Sequence, residues 1–243
     1  MKRIFLEDLR EPEVTIGGED ANHLARSLRA RRGDRITAVD RLGNSAVIEL
    51  IDFDRETIRA RRISAIQKIF VEKKIILADC LPKQNRFENI IEKATELGVH
   101  RIEPLISERT VARPGGAREK SKLERWQRIA KEAAEQCARD TIPEIGNIRK
   151  LDDWLAEINP LNDTLLLFCW ENERVATVRE VLRTYIDKDI IVLIGPEGGF
   201  SEREVIKIKS AGGVSVTLGK RILKTDTAAI SVLAMINYER MAT

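Results

Sequence analysis

The sequence predicts an α/β protein in two parts: a small β-rich module over residues 1–68 and a larger domain over residues 71–243 built on a mostly parallel sheet. Three observations lead to this. Short runs that alternate apolar and polar residues fill the first quarter of the chain and mark half-buried strands. From about Val71 onward strand-like and helix-like segments alternate, the order that a parallel sheet with crossover helices requires. Two runs, residues 164–170 and 190–194, are apolar throughout, as central strands covered on both faces must be.

In the first part, residues 3–6, 35–40, 45–51 and 57–66 are the strand candidates, with Asp40-Arg41-Leu42-Gly43-Asn44 turning the chain between two of them. One helix fits residues 20–30, whose acidic start and arginine-rich end complement the helix dipole, and Gly33 then helps the chain turn. In the second part, residues 71–79 form a strand. A helix over 85–97 follows, because Phe87, Ile90, Ile91, Ala94 and Leu97 recur at three- and four-residue steps, and Gly98 caps it. After a strand over 101–106, a long helix over 118–139 aligns Leu123, Trp126, Ile129, Ala130, Ala133 and Cys137 on one face, with Pro143 just beyond. A short helix over 152–158 leads to the two apolar strands, with a helix over 174–185 between them. Helix 202–211, strand 214–218 and helix 226–241 complete the order.

Composition excludes several classes of protein. A chain of 243 residues is long enough for a sizeable core. Neither apolar run approaches the roughly 20 residues that cross a bilayer. The N-terminus, Met1-Lys2-Arg3-Ile4-Phe5-Leu6-Glu7-Asp8, turns acidic before any run of signal-peptide length, so a cytoplasmic protein without membrane attachment is expected. Cys80, Cys137 and Cys169 are odd in number and far apart, and His23 and His100 are isolated. Neither a disulfide framework nor a metal site is expected.

The net charge of +3 is small but unevenly spread. Arg26, Arg29, Arg31, Arg32 and Arg35 stand together against Asp34 alone. A second basic stretch runs through Arg109, Arg113, Arg118, Lys120, Lys122, Arg125 and Arg128, against Glu119 and Glu124. Clusters of this kind suit a polyanion binder, and equally a solvated helix face with scattered ion pairs.

In an open α/β sheet, ligands bind beyond the carboxyl ends of the strands, and three strand ends here carry unusual loops. After residues 190–194 the chain reads Gly195-Pro196-Glu197-Gly198-Gly199-Phe200, and Ser201 with Glu204 forms a capping box that starts a helix. Glycines without Cβ atoms let backbone approach a ligand closely. The loop lacks both the Lys-Ser/Thr of a P-loop and the spacing of the dinucleotide fingerprint, which disfavours a nucleotide phosphate. A rigid loop with one carboxylate better suits a neutral or cationic ligand. A tight turn with no ligand is the plainer alternative. After residues 214–218 comes Gly219-Lys220-Arg221-Ile222-Leu223-Lys224, where cations precede a helix start that Thr225 or Asp226 can cap. Cations there oppose the helix dipole, which points Arg221 and Lys224 toward a phosphate backbone or simply toward solvent. The third loop, Glu171-Asn172-Glu173-Arg174, lines the same pocket if the three strands are neighbours.

These residues carry a resemblance. His23-Leu24 with Ser27-Leu28-Arg29 and Gly33-Asp34, Glu92-Lys93-Ala94-Thr95-Glu96-Leu97-Gly98-Val99, Trp126-Gln127-Arg128-Ile129-Ala130 with Glu132-Ala133-Ala134-Glu135-Gln136, the segment from Ile194 to Ser201, and Leu218-Gly219-Lys220-Arg221-Ile222-Leu223 stand in the order of one family. The chain resembles the bacterial 16S ribosomal RNA (uracil N3)-methyltransferases, the RsmE family of the SPOUT class, over essentially its whole length. It departs at Lys224-Thr225-Asp226-Thr227-Ala228, where the family reads Arg-Thr-Glu-Thr-Ala; both changes keep the charge, but lysine lacks the fork of arginine.

The resemblance implies a PUA-like β-barrel at the N-terminus that helps bind RNA. It also implies a trefoil-knotted SPOUT domain that binds S-adenosylmethionine, a homodimer, and methylation of N3 of a uridine in 16S rRNA or the small ribosomal subunit. On that basis Leu193, Ile194, Gly195, Gly198, Gly199, Leu218, Gly219, Ile222 and Leu223 are expected to form the cofactor bed. Arg26, Arg29, Arg109, Arg113 and Lys224 are expected to face RNA, with residues 109–116 a flexible loop near it. Glu197 and Arg221 are the candidates for catalysis. Glu197 either accepts the N3 proton or only shapes the loop, and Arg221 either stabilises an oxyanion or binds phosphate. Rival readings are a SPOUT enzyme with another target and a non-catalytic RNA-binding relative. The retained glycines of both loops argue against the second.

Overall fold

The computed structural model describes residues 3–27, 29–40, 43–54, 56–68, 73–83, 86–112, 117–158 and 163–241. The chain divides into two compact units, Met1–Val71 with Ala134–Thr141, and Glu72–Ala133 with Ile142–Thr243. No described helix is long and apolar enough to cross a membrane.

The first unit holds β1 (Arg3–Leu6), β2 (Glu13–Gly17), α1 (Gly18–Asn22), β3 (Arg35–Asp40), β4 (Asn44–Phe53), β5 (Thr57–Arg62) and β6 (Gln67–Lys68). They form one sheet in the order β1-β3-β4-β5-β2, with β6 pairing with β4; β1 and β3 run parallel and the other pairs antiparallel. Alternate residues turn inward, so Ile36 and Ala38, Ile48 and Leu50, and Ile58 and Ala60 share one core with Ile4, Ile16 and Leu24. The helix expected over residues 20–30 is shorter and irregular. α1 ends at Asn22 and a π-helical turn, His23–Ser27, continues it. The amide of Ala30 reaches back to the carbonyl of Leu24, and Arg29 takes a left-handed φ of 47°. The wider turn lets Ala21 and Leu24 both enter the core. β5 stops at Arg62, short of the expected residue 66, and β2 and β6 carry too few alternations to stand out in the sequence.

The second unit runs β7 (Ile75–Cys80), α2 (Arg86–Glu96), β8 (Arg101–Ile106), α3 (Ala117–Gln136, whose last residues fall in the first unit), β9 (Glu144–Ile145), β10 (Arg149–Lys150) and α4 (Leu151–Glu157). It continues with β11 (Thr164–Cys169), α5 (Val178–Tyr185), β12 (Asp189–Ile194), α6 (Glu202–Ser210), β13 (Val214–Val216) and α7 (Thr225–Met241). The sheet is parallel throughout, in the order β10-β8-β7-β12-β11-β13, with β9 also on β8.

Alternation along the strands separates two cores. Ile75 and Leu77 of β7 and Ile190, Val192 and Ile194 of β12 face α2, α5 and α7. Ala78, Cys80, Ile191 and Leu193 face the other way, toward α4 and α6. Gly98, at φ 85°, ends α2 as expected, with the amide of Val99 bonded to the carbonyl of Ala94. α5 begins four residues later than its expected start at 174. Thr177 and Glu180 form a capping box there, and the amides of Arg174, Val175 and Ala176 are taken by the Glu173 carboxylate instead of a helix.

Candidate functional site

β12, β11 and β13 are neighbours in the sheet, so the loops after them open side by side at its carboxyl edge. With the first turn of α7 they line a cavity of ≈ 470 Å³, inside the roughly 300–1,000 Å³ of small-molecule sites.

The loop after β12 is held from several sides. The amide of Gly199 bonds to the carbonyl of Pro196 at 2.9 Å, and Gly199 takes φ 67°. A Cβ on Gly199 would lie 2.1 Å from Oε1 of Glu171; one on Gly195, 3.1 Å from the Phe200 ring; one on Gly198, 3.2 Å from Cβ of Arg109. The glycines therefore make room for the protein's own side chains as well as for a ligand. Nη1 of Arg109 donates to the Gly198 carbonyl at 2.7 Å. Oε1 of Glu197 accepts the Lys83 amide at 2.9 Å and lies 3.6 Å from Nη1 of Arg86.

The capping box of Ser201 and Glu204 is formed as expected. Glu204 is buried, and its second oxygen accepts the amide of Glu108 at 2.8 Å, which ties the loop after β8 to the start of α6. That loop is anchored at its start, and residues 113–116 of the stretch expected to be flexible lie outside the described residues. Ser107 and Thr110 are buried and bonded to each other, hydroxyl to hydroxyl at 2.8 Å.

The loop after β11 is organised by Glu173. One oxygen accepts three successive amides, and the other accepts the Ser215 hydroxyl at 2.6 Å. The Ser215 hydroxyl first, then the amides, pull this carboxyl down to about 2. Trp170, Glu171 and Arg174 are thereby presented to the cavity.

The loop after β13 is held far less. Thr217 bonds to Gly219 through its hydroxyl, and beyond that Gly219, at φ 112°, faces open space. Arg221 and Lys224 are exposed, and Ile222 is 81% exposed. α7 starts one residue earlier than expected, at Thr225, with its first helical bond running from the Ala228 amide to the Lys224 carbonyl.

Of the residues expected in the cofactor bed, Ile194, Gly195, Gly198, Gly199, Leu218, Gly219, Ile222 and Leu223 line this cavity together with Glu197, Arg221 and Lys224. Leu193, expected in the same bed, does not line the cavity. It is fully buried in the core beneath α4 and α6, because successive residues of β12 face opposite ways and Ile194 takes the cavity side. Arg26 and Arg29 are exposed in the first unit, Arg109 is engaged with Gly198, and Arg113 lies outside the described residues. Glu171 and Arg174 line the cavity as expected of the third loop once the three strands are neighbours, and Trp170, Thr225 and Ala228, which the sequence does not mark as site residues, line it too. Trp170 closes the apolar run 164–170, where nothing in the sequence separates a cavity-facing residue from a core one.

An α/β domain with a strand-end cavity, accompanied by a β-rich unit, fits an RNA-modifying methyltransferase. Residues 71–237 match the RNA methyltransferase domain family, and residues 16–61 match the RNA methyltransferase PUA domain. The chain is 30% identical to the ribosomal RNA small subunit methyltransferase E of Bacillus subtilis, over 98% of this chain and 97% of that protein. It is 33% identical to the Synechocystis protein of the same description, over 95% and 75%. The crystal structure of the Neisseria gonorrhoeae ribosomal RNA small subunit methyltransferase E bound to S-adenosyl methionine superposes with a TM-score of 0.86 at 29% identity, covering 98% of each chain. The chain belongs to the ribosomal RNA small subunit methyltransferase E family.

Proposed function

We propose that this protein transfers a methyl group from S-adenosylmethionine to N3 of a uridine in small-subunit (16S) ribosomal RNA. The observation that carries the reading is the cavity at the ends of β11, β12 and β13. It joins aliphatic walls (Ile194, Leu218, Ile222, Leu223) to loop backbone and to the carboxylates of Glu171 and Glu197. Such a lining fits the cofactor: apolar walls take a flat base, main-chain groups take its polar edge, and carboxylates complement a sulfonium. The solved Neisseria relative, which carries that cofactor, supports the same reading.

The cofactor supplies an already activated methyl group. The protein's own residues have to orient the acceptor base and remove its N3 proton. N3 lies on the pairing edge, so the uridine must be presented unpaired. Oε1 of Glu197 is fixed by Lys83 and Arg86, while Oε2 carries no hydrogen bond among the described residues. That oxygen is the acceptor for the N3 proton. Arg221, exposed at the rim, balances negative charge on the uracil or a flanking phosphate. Lys224 at the same rim, with Arg26, Arg29 and Arg113, serves the RNA backbone. Arg109 acts first as the anchor of the loop after β12.

The reading includes a homodimer. Met235, Tyr238 and Met241 leave apolar surface exposed along α7, which supports burial against a second copy. It also includes the SPOUT knot, supported by the return of α7 from edge strand β13 to the core face of β12 and α2, and action inside the cell.

The test is mass-spectrometric nucleoside analysis of small ribosomal subunits treated with the purified protein and S-adenosylmethionine. N3-methyluridine should appear. A different methylated nucleoside, or none, would overturn the reading.

A further inference from the structure

Asp79 has no role in the chemistry so far. It is 0% exposed, and neither carboxyl oxygen has a hydrogen-bond partner among the described residues. An ionised carboxyl cannot be left so without great cost, so a group of this kind stays neutral until a positive charge arrives.

Its place on the sheet says where that charge would come from. Asp79 follows Ile75 and Leu77 on the face of β7 that meets α2 and α7, and its partner across the sheet is Ile194, which lines the cavity. The next residues after Ile194 form the cavity's loop. Thr225 and Ala228, from the first turn of α7 on that same face, line the cavity too. The charged groups felt by Asp79 are both acidic: Glu197 from the loop after β12 and Asp226 from α7. Arg86 of α2 is engaged with Glu197, and on β7 itself the neighbour is the Cys80 thiol, which faces the other core. Burial first, then Glu197 and Asp226, hold the Asp79 carboxyl well above the usual carboxylate range.

We propose that Asp79 is a charge sensor beneath the methyl-donor cavity: it releases its proton when a sulfonium cofactor binds, and regains one when the sulfonium becomes a thioether. The inference rests on the reading of the cavity as a methyl-donor site and deepens it. In the transfer an N3–C bond forms as an S–C bond breaks, the positive charge on sulfur disappears, and the uracil N3 hydrogen leaves as a proton. Asp79, ionised while the sulfonium was present, becomes a base again as that charge vanishes, so the proton that Glu197 takes from N3 has a second, buried acceptor to pass to within the protein. The same linkage distinguishes substrate cofactor from spent cofactor, which differ in that charge and in one methyl group.

The test is calorimetric titration of the full chain with S-adenosylmethionine and with S-adenosylhomocysteine, each in two buffers of different ionisation enthalpy. S-adenosylmethionine should release close to one proton and bind up to tenfold more tightly per unit rise in pH. S-adenosylhomocysteine should release none and show no such slope. Asp79→Asn, which imitates the neutral carboxyl in shape, should abolish the release and shrink the preference for the sulfonium form. Infrared difference spectra give a second readout that needs no variant. A protonated-carboxyl band should be lost on adding S-adenosylmethionine and kept with S-adenosylhomocysteine. Equal proton release by the two ligands, or unchanged release in Asp79→Asn, overturns the charge sensor. Failure of both ligands to bind instead overturns the cavity reading beneath it.

Discussion

The two loops that wall the cavity are built in opposite ways. The loop after β12 is fixed before any ligand arrives: Glu171, Phe200 and Arg109 fill the space its glycines leave, and Glu204 and Glu197 tie it to the loops after β8 and β7. The loop after β13 is tied at Thr217, to the Ala176 carbonyl and to Gly219, and beyond Gly219 it leaves Ile222 to solvent. One wall is preorganised, and the other has apolar surface free to meet a ligand. Rigid elements fix the geometry of a site, and a loosely held one adapts around what binds. Variants should therefore divide by wall, those of the first costing stability and those of the second costing affinity.

The largest expected effect is on the first wall. Glu204→Ala removes a helix cap and leaves the Glu108 amide without its acceptor. Together these cost about 2–4 kcal/mol, or a melting point lower by about 5–15 °C for a chain of this size. A thermal melt that moves by less than a few degrees would show that the wall is held by other contacts.

Ile222→Ala probes the second wall. A side chain this exposed contributes little to folding, so the melting point should hold within about 0.5 kcal/mol. The methyl donor should nevertheless bind about tenfold more weakly, about 1.4 kcal/mol, as the lost apolar contact is one made on binding. Isothermal titration separates the two numbers. A destabilised variant of unchanged affinity would reverse the contrast between the walls.

Much of this architecture is legible in the sequence, and the failures have physical causes. The strand over 101–106, helix α2 with its Gly98 cap, and the Ser201–Glu204 box depend on contacts a few residues apart, which local patterns report. The sequence does not separate Leu193 from Ile194, because an apolar strand buried on both faces carries no alternation to say which residue turns toward the cavity; its neighbours decide that. The partners of the glycines were hidden for the same reason. Glu171 and Arg109 lie far from Gly199 and Gly198 in sequence and meet them only through the fold. Asp79 stands at the end of an apolar run, where a carboxylate reads as a strand end, and only its burial marks it out.

Each cavity wall holds one positive-φ glycine, Gly199 in the loop after β12 and Gly219 in the loop after β13. An alanine costs about 1–3 kcal/mol at either for the backbone conformation alone. At Gly219 nothing else is in the way, whereas at Gly199 the added methyl must also displace the Glu171 carboxylate. Gly199→Ala should thus weaken cofactor binding more than Gly219→Ala does, by less than about 1 kcal/mol because the displaced atom ends a flexible side chain. Adding Glu171→Ala should restore the thermal stability lost to crowding and leave the backbone cost in place. If the double variant melts no higher than Gly199→Ala alone, Glu171 is not what the glycine accommodates.

The last contrast depends on pH and concerns the loop after β11, whose carboxylate supports the fold fully at neutral pH and less and less in acid. The Glu173 carboxyl is held at about 2 in the folded chain, against an ordinary value of 4.5. A group whose folded value is depressed contributes its full stabilisation above the ordinary value and loses it as pH falls toward the folded value. Glu173 should thus support the fold fully above about pH 4.5 and lose that support progressively down to about pH 2. Glu173→Gln keeps one acceptor oxygen but cannot titrate. The stability difference between the native chain and the variant, read by denaturant unfolding at steps from pH 6 to pH 2.5, should narrow across that window. A difference that stays constant would mean that the three amides and the Ser215 hydroxyl are held by the loop's own geometry, and that the loop after β11 belongs with the preorganised wall whatever the charge on Glu173.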